Sequence, residues 1–404
     1  MAVLNKRAIV TAIEMYGVTA IKLPSTLGLN YSVIVQALFA NGEQGFFYDP
    51  NDLSTMYQDA AGTVAVTAVG QAVGLMLDKS KGLLSTETVV NPDFDSDTAW
   101  IKGSNVTISN GSAILNVANG NPVLSQNVGL TAGKWYEVTV DVTEVTSGSS
   151  VFRIYGTGGN DAILSIPSAG IYKAMTKARS DATGLIGFSA SSTSMKISSV
   201  SVKELAGNHA FQTTSASRPI LRKNAVTGAN YLEFDGSDDF LQTGNIDFTV
   251  TDKVSLFTGV QRLGAASIGT IAEFSTNSGS NTNSFYLVVL SSDTLQFNSR
   301  GAGNSATVGR GFPITSASVV VSSVGDISGD VSKIRVNGGS YAVNVADQGT
   351  GNYGNYPLYI GRRGGTFLPF NGHIYGLIGI GKLVSDNETT TIEKELAKRT
   401  GVTL

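Results

Sequence analysis

"VGLMLDKSKGLLSTETVVNPDFD", residues 73–95, reads as a phrase broken off near Lys81, after which a different vocabulary begins. The missing end of the phrase stands 125 positions further on, in "AGNHAFQTTSASRPIL", residues 206–221. Joining Gly82 to Gly207 gives "GLMLDKSKGNHAFQTTSASRPIL", a continuous loop-like lead into a second run of strands. The 124 residues between, 83–206, have the length of a complete domain. This predicts an insertion. A β-sandwich accepts a guest when the guest's termini lie close together and the host site is an exposed loop, because few host hydrogen bonds change.

A chain of 404 residues exceeds what one hydrophobic core usually supports, so more than one domain is expected. The 47 glycines against 9 prolines, with abundant Ser, Thr, Asn and Val, point to many short strands joined by tight turns. With 28 basic and 31 acidic side chains the net charge is −3, which gives no general pull on phosphate backbones; nucleic acid is not an expected partner. The absence of cysteine excludes disulfides, thiolate metal sites and cysteine nucleophiles. At the N-terminus, Lys6 and Arg7 precede an apolar run that Glu14 interrupts, without the pattern of a signal peptide. The longest later apolar run, "VIVQALFA" at 33–40, is far shorter than a membrane span, so no membrane insertion is expected.

Residues 1–45 mix apolar stretches with a turn-rich break at Pro24, Gly28 and Asn30, and read as an arm or small helical cap: a segment for attachment to a larger assembly is the preferred reading, a helix docked on a neighbouring domain the other. From about 91 to 204 the pattern alternates. In "WYEVTVDVTE", Tyr136, Val138, Val140 and Val142 take one face and Glu137, Thr139, Asp141 and Thr143 the other. Further short strands are expected at "AILNVA", "VFRIY", "LIGFSA" and "MKISSVSV", where the apolar phase slips across Ser198 and Ser199 as a β-bulge requires. The second run of strands, from about 207 to 384, suggests a larger sandwich. A helix closes the chain, with Ser385 and Glu388 as a capping box, Ile392 and Leu396 as an apolar stripe, and Gly401 as its stop. The expected fold is therefore all-β, with two sandwich or jelly-roll domains, one inserted into a loop preceding the other. The expected divisions are an arm at 1–45, a lead-in at 46–82, the insertion at 83–206 and the second sandwich with its helix at 207–404.

Several ordered motifs carry a resemblance. "GFFYDPNDLSTMYQDAAGT", "VGQAVGLMLDKS", "GNHAFQTTSASRPIL", "YLEFDGSDDFL", "LYIGRRGG", "LPFNGHIYGLIGIG" and the helix ending "KRTGV" together resemble virion structural proteins of tailed bacteriophages with a concanavalin A-like (laminin G-like) sandwich, over residues 46–82 and 207–404. The inserted segment, from "NPDFDSDTAWIKGSN" to "MKISSVSVKEL", resembles the jelly-roll carbohydrate-binding modules appended to glycan-active proteins. The resemblance implies a tail fibre, baseplate appendage or capsid decoration located in the virion. Its implied partners are other virion proteins, met through the N-terminal arm, and host surface glycans; multiple copies imply a homo-oligomer.

Catalytic motifs are incomplete. In "YLEFDGSD" a strand would send Glu233 and Asp235 to one face about 6 to 7 Å apart. Glucanases of the resembled fold add a third carboxylate as proton donor, whereas here Asp238 falls in a turn. "GLIGIGKL", 376–383, ends on Leu383 where a phosphate loop needs Ser or Thr, and reads as a glycine-rich strand. "AASIG", 265–269, lacks the first glycine of a nucleophile elbow, and His209 and His373 are the only histidine bases. An enzyme is not expected; a virion-associated polysaccharide hydrolase is the alternative, and a pure scaffold the third reading.

Asp93, Asp95 and Asp97 begin like a calcium loop, but Thr98 replaces its glycine and Ser104 its closing glutamate. Modules of the resembled kind hold a structural calcium with an acidic residue where this chain has Ser198 or Ser199, so calcium is disfavoured and no cofactor is expected. Sugar binding asks for aromatic faces beside amides and carboxylates. Trp100, Tyr155 and Tyr172, with Asn160 and Asp161, are the candidates, although Trp100 could equally plug the end of the sandwich. Arg362, Arg363 and Tyr356 are a further loop surface, with solvated charge as the competing reading.

Overall fold

The structure, a computed structural model, describes residues 31–83, 85–264, 267–277, 281–311 and 317–404. Residues 1–30 of the segment read as an arm, and Ala265 and Ala266 of "AASIG", lie outside the described residues. The fold is all-β, closed by the helix Asp386–Thr400. No helix among the described residues is long and apolar enough to cross a membrane.

Two antiparallel sheets form the larger sandwich. One runs in spatial order Ile220–Lys223, Asn230–Asp235, Asn371–Ile380, Lys253–Arg262, Val319–Asp326, Val331–Val336, Ala342–Asn344, with Gly45–Tyr48 also paired to Asn371–Ile380. The other runs Met56–Tyr57, Leu75–Met76, Ala210–Phe211, Leu241–Asp247, Asn355–Ile360, Gly269–Phe274, Ser284–Val289, Thr294–Arg300, Ser305–Gly311. Leu232 and Phe234 point into the space between them, with Phe248, Phe274, Phe285, Phe297 and Phe370. The glycines of "GLIGIG" serve this packing: a Cβ on Gly379 would lie 2.2 Å from Cζ of Phe46.

The chain leaves this sandwich after Leu75–Met76 and returns beside it. Met76 lies opposite Ala210 and Leu75 opposite Phe211. Asp78 completes the join: its carboxylate accepts from the Asn208 amide at 2.7 Å, and its own N–H donates to Nδ1 of His209 at 2.9 Å. Between the two passages a third sheet runs Gly170–Lys177, Trp135–Gly156, Ala182–Leu205, Ala113–Asn127, Ile101–Lys102, with the shorter Ser85–Glu87, Val106–Ile108 and Gly159–Ile166 paired alongside.

This sheet differs from expectation in one respect. "WYEVTVDVTE" and "VFRIY" belong to one strand, Trp135–Gly156, and "LIGFSA" and "MKISSVSV" to another, Ala182–Leu205. The two pair along most of their length with register shifts, including one between Ile197 and Ser199. Bulges bend a strand without ending it, so one strand serves both walls of the small core. Gly148, at φ 69°, sits where a Cβ would fall 2.4 Å from the Ser192 carbonyl oxygen.

The inserted sheet packs directly against its host. Trp135, Met175 and Leu205 pack against Leu75 and Leu77, flanked by Tyr57 and Phe211. The Met175 amide donates to the Ala61 carbonyl at 2.9 Å. The host strand Leu75–Met76 carries apolar side chains beyond its own sandwich, and covering them removes apolar surface from water.

The closing helix is capped as its sequence demands, with both Ser385–Glu388 bonds formed and Gly401 left-handed at φ 79°. Ile392 and Leu396 are buried with Tyr31 and Val35 of the helix Tyr31–Ala37 against Phe47, Phe257 and Ile378 on the outer face of the first sheet. Arg399 lies 2.6 Å from Asp49 and 4.0 Å over the Tyr31 ring.

Candidate glycan-contacting face and other clusters

Side chains of a strand alternate. Phe152 and Ile154 enter the core of the inserted sheet, so Arg153 and Tyr155 leave from its other side. The register then builds a row across five strands. Arg153 stands opposite Ala162 on one flank and Gly187 on the other, Gly187 opposite Ser125, and Ser125 opposite Ile101. Ile101 is 66% exposed. Asn160 lies opposite Tyr155.

Hydrogen bonds hold this face rigid. Nη1 of Arg153 donates to Oδ1 of Asn160 at 2.8 Å, and its Nε donates to Oγ of Ser189 at 2.7 Å. Two of the five guanidinium N–H groups are thereby committed, and the rest can serve further acceptors. The Tyr155 hydroxyl donates to Oδ1 of Asn121 at 2.5 Å. Asn121 belongs to Ala113–Asn127, so the phenol spans the intervening strand. Burial raises the Tyr155 pKa above its ordinary value, which keeps the hydroxyl a donor. A part-buried aromatic ring, a planar cation and two amides on one side of the sheet are the groups that sugar C–H faces and hydroxyls require.

Of the sequence candidates, Tyr155 and Asn160 come together here. Asp161 does not; it pairs with Arg179 at 2.6 Å, and Arg179 in turn holds Asp181. Tyr172 stands on Gly170–Lys177 opposite Val140, its ring partly packed on the core and its hydroxyl donating to the Ser168 carbonyl at 2.9 Å. Trp100 takes the packing position that was its competing reading. It is buried against Phe94 at 5.3 Å, its Nε1 donates to the Asn91 carbonyl at 3.1 Å, and it presents no free ring face. Arg153, Asn121 and Ser189 escaped the sequence reading. The two-residue alternation in "VFRIY" puts Arg153 on the Tyr155 face, but nothing local brings Asn121 or Ser189 there.

The acidic clusters are engaged. Arg222 binds Oε1 of Glu233 through Nε and Nη2, both at 3.0 Å, and Nε2 of His373 lies 3.7 Å from Glu233. Asp235 caps its own turn, accepting from the Ser237 amide at 2.7 Å, while Asp238 accepts from Ser217. Carboxylate oxygens of Asp235, Asp238 and Asp239 lie within 4.8 Å of one another, a spacing that could hold a cation. Burial, then the Asp235 charge, pushes Asp239 up to about 7. Asp93, Asp95 and Asp97 are all exposed, and Asp97 binds Lys102 at 2.5 Å.

The RRGG loop is more than solvated charge. Arg363 lies 4.9 Å over the Tyr286 ring and 3.7 Å from buried Glu273, and Arg362 donates to the Thr366 carbonyl. Tyr356 is elsewhere, packed on Phe274 at the core's edge, so the three do not form one surface.

No protein-family model matches this chain, and no curated protein does. Among solved structures it is similar to the CBM40 module of the Ruminococcus gnavus IT-sialidase, at 16% identity and TM-score 0.30 over 38% of this chain and 97% of that one. A mutant NanB sialidase from Streptococcus pneumoniae gives 17% identity and TM-score 0.30 over 37% of this chain and 27% of that one. The binding domain of botulinum neurotoxin serotype D gives 10% identity and TM-score 0.33 over 46% of this chain and 48% of that one. No residue role is carried over from these, and none bears on a bacteriophage origin.

Proposed function

We propose that this chain is a non-catalytic glycan-binding protein of a bacteriophage particle, with the inserted sheet as its sugar-contacting face. One observation carries the glycan reading: Tyr155 lies across the sheet between Asn121 and the Arg153–Asn160 pair, an aromatic surface framed by fixed polar groups. A shallow sheet face of this kind binds each sugar weakly, and many copies on one particle raise the effective concentration. The virion part rests on the ordered motifs of residues 46–82 and 207–404. Against catalysis stand the Arg222 clamp on Glu233 and the turn-capping role of Asp235.

A multivalent form of the protein probed on a glycan array is expected to bind a restricted set of sugars, and Tyr155→Ala is expected to lose them. Complete silence of the wild-type protein on the array would favour a scaffold instead. New reducing ends released from host polysaccharide, and lost on Glu233→Gln, would convert the reading to a hydrolase. Density for the chain in an intact particle tests the virion assignment.

A further inference from the structure

Where the chain leaves the host sandwich and returns, the two parts enclose a cleft of about 300 Å³. Gly133, Trp135 and Lys177 line it from the inserted sheet, and Asn208, His209 and Asn245 from the host. The volume is in the range of sites for small ligands.

His209 is 1% exposed. Its Nδ1 accepts the Asp78 N–H, so the proton of the neutral ring resides on Nε2. Burial drives the His209 pKa down to about 3, and the ring stays neutral near pH 7. Nε2 is buried and has no hydrogen-bond partner among the described residues. A buried donor without a partner, in a residue that lines a cleft, calls for an acceptor.

Lys177 supplies charge. Its ammonium sits 5.4 Å over the Phe211 ring and forms no ion pair with a carboxylate among the described residues. A Cβ on Gly244 would lie 3.0 Å from that nitrogen, so the glycine leaves the ammonium room at the cleft wall. The other nearby cation, Lys134, already lies 3.8 Å from Glu204. The cleft thus offers one uncompensated positive charge and one neutral donor. Asn245 donates its amide to the Asn355 carbonyl, which leaves its own oxygen to accept a hydroxyl, and Trp135 forms an apolar wall.

We propose that this cleft is a second binding site, taking the carboxylate of a monosaccharide acid, with Lys177 as counter-charge and the His209 Nε2–H as donor. A single uncompensated charge matches a monoanion better than a phosphate dianion. The carboxylate could be carried by a glycan residue or by a free sugar acid, and the shared chemistry is the sugar-borne carboxylate. The site is separate from the Tyr155 face, since Trp135 and Tyr155 stand near opposite ends of one strand.

Calorimetric titration of the full chain with glucuronate, glucose, acetate and inorganic phosphate tests this. Glucuronate is expected to bind, with glucose, acetate and phosphate each at least about tenfold weaker, and Lys177→Gln is expected to weaken glucuronate by about tenfold or more. With two histidines in the chain, His373→Gln assigns the His209 Nε2–H proton resonance, which should move on adding glucuronate and stay on adding glucose. An oligosaccharide ending in glucuronate that binds as the free acid does identifies a glycan source; binding of the free acid alone identifies a metabolite. No binding of either acid, equal binding of glucose, acetate or phosphate, indifference to Lys177→Gln or an unmoved His209 resonance would overturn the proposal. Tyr155→Ala should leave the titration unchanged, so failure of the sheet-face reading and failure of this one are distinguishable.

Discussion

A tryptophan in a small β domain can be a sugar platform or a plug, and its surroundings decide which. Trp100 touches Phe94 and spends its N–H on the Asn91 carbonyl, so Trp100→Ala should cost about 3–5 kcal/mol in chemical denaturation while leaving the glycan array pattern intact. Lost sugar binding at unchanged stability would reverse that assignment. Asp239 makes a pH-dependent contribution. The folded protein holds its proton up to about pH 7, whereas the unfolded chain releases it near 3.8. Between those values the folded state binds more protons, so this group's stabilising effect is complete on the acid side and disappears as pH rises through 7. Asp239→Asn should therefore raise the melting temperature at pH 8 by about 2–4 °C more than at pH 5. An equal shift at both pH values would contradict the raised pKa.

At the scale of elements, the closing helix separates local from tertiary stabilisation. Ser385 caps it from within, and removing the cap as Ser385→Ala should cost about 1 kcal/mol. Glu393, buried on its inner face, accepts from Nε and Nη2 of Arg335 at 2.7 and 2.9 Å and from Oγ of Ser322 at 2.6 Å. Glu393→Ala strands both partners and should cost about 3–5 kcal/mol. Denaturation midpoints compare the two, and equal losses would mean that the cap alone holds the helix. The cap was readable because Ser385 and Glu388 are three residues apart. Arg335 was not, since no short-range spacing joins positions 335 and 393.

For the whole molecule, the decisive contact is the apolar seam between the two parts of the chain. Trp135 lies in it, 5.8 Å from the His209 ring and 5.6 Å from Phe211. Melting of the wild-type protein should be a single calorimetric transition. Trp135→Ala should split it into two by uncoupling the inserted sheet from the host. A single unsplit transition in the variant would show that the seam does not couple them. The chain departs after Leu75–Met76 and returns at Ala210–Phe211 beside it, and the alternation of "WYEVTVDVTE" gave no sign that its first residue would face the host.

What the sequence by itself determined is what neighbours in the chain can settle. Alternation sets strand faces, and Ser385 with Glu388 starts a helix. Tertiary structure alone decided that Trp100 is buried, that Tyr155 reaches Asn121, and that His209 and Lys177 line one cleft. The physical reason is pairing at a distance: which strands lie side by side is chosen by burying apolar faces from far-apart segments, and the polar groups brought together depend on that choice.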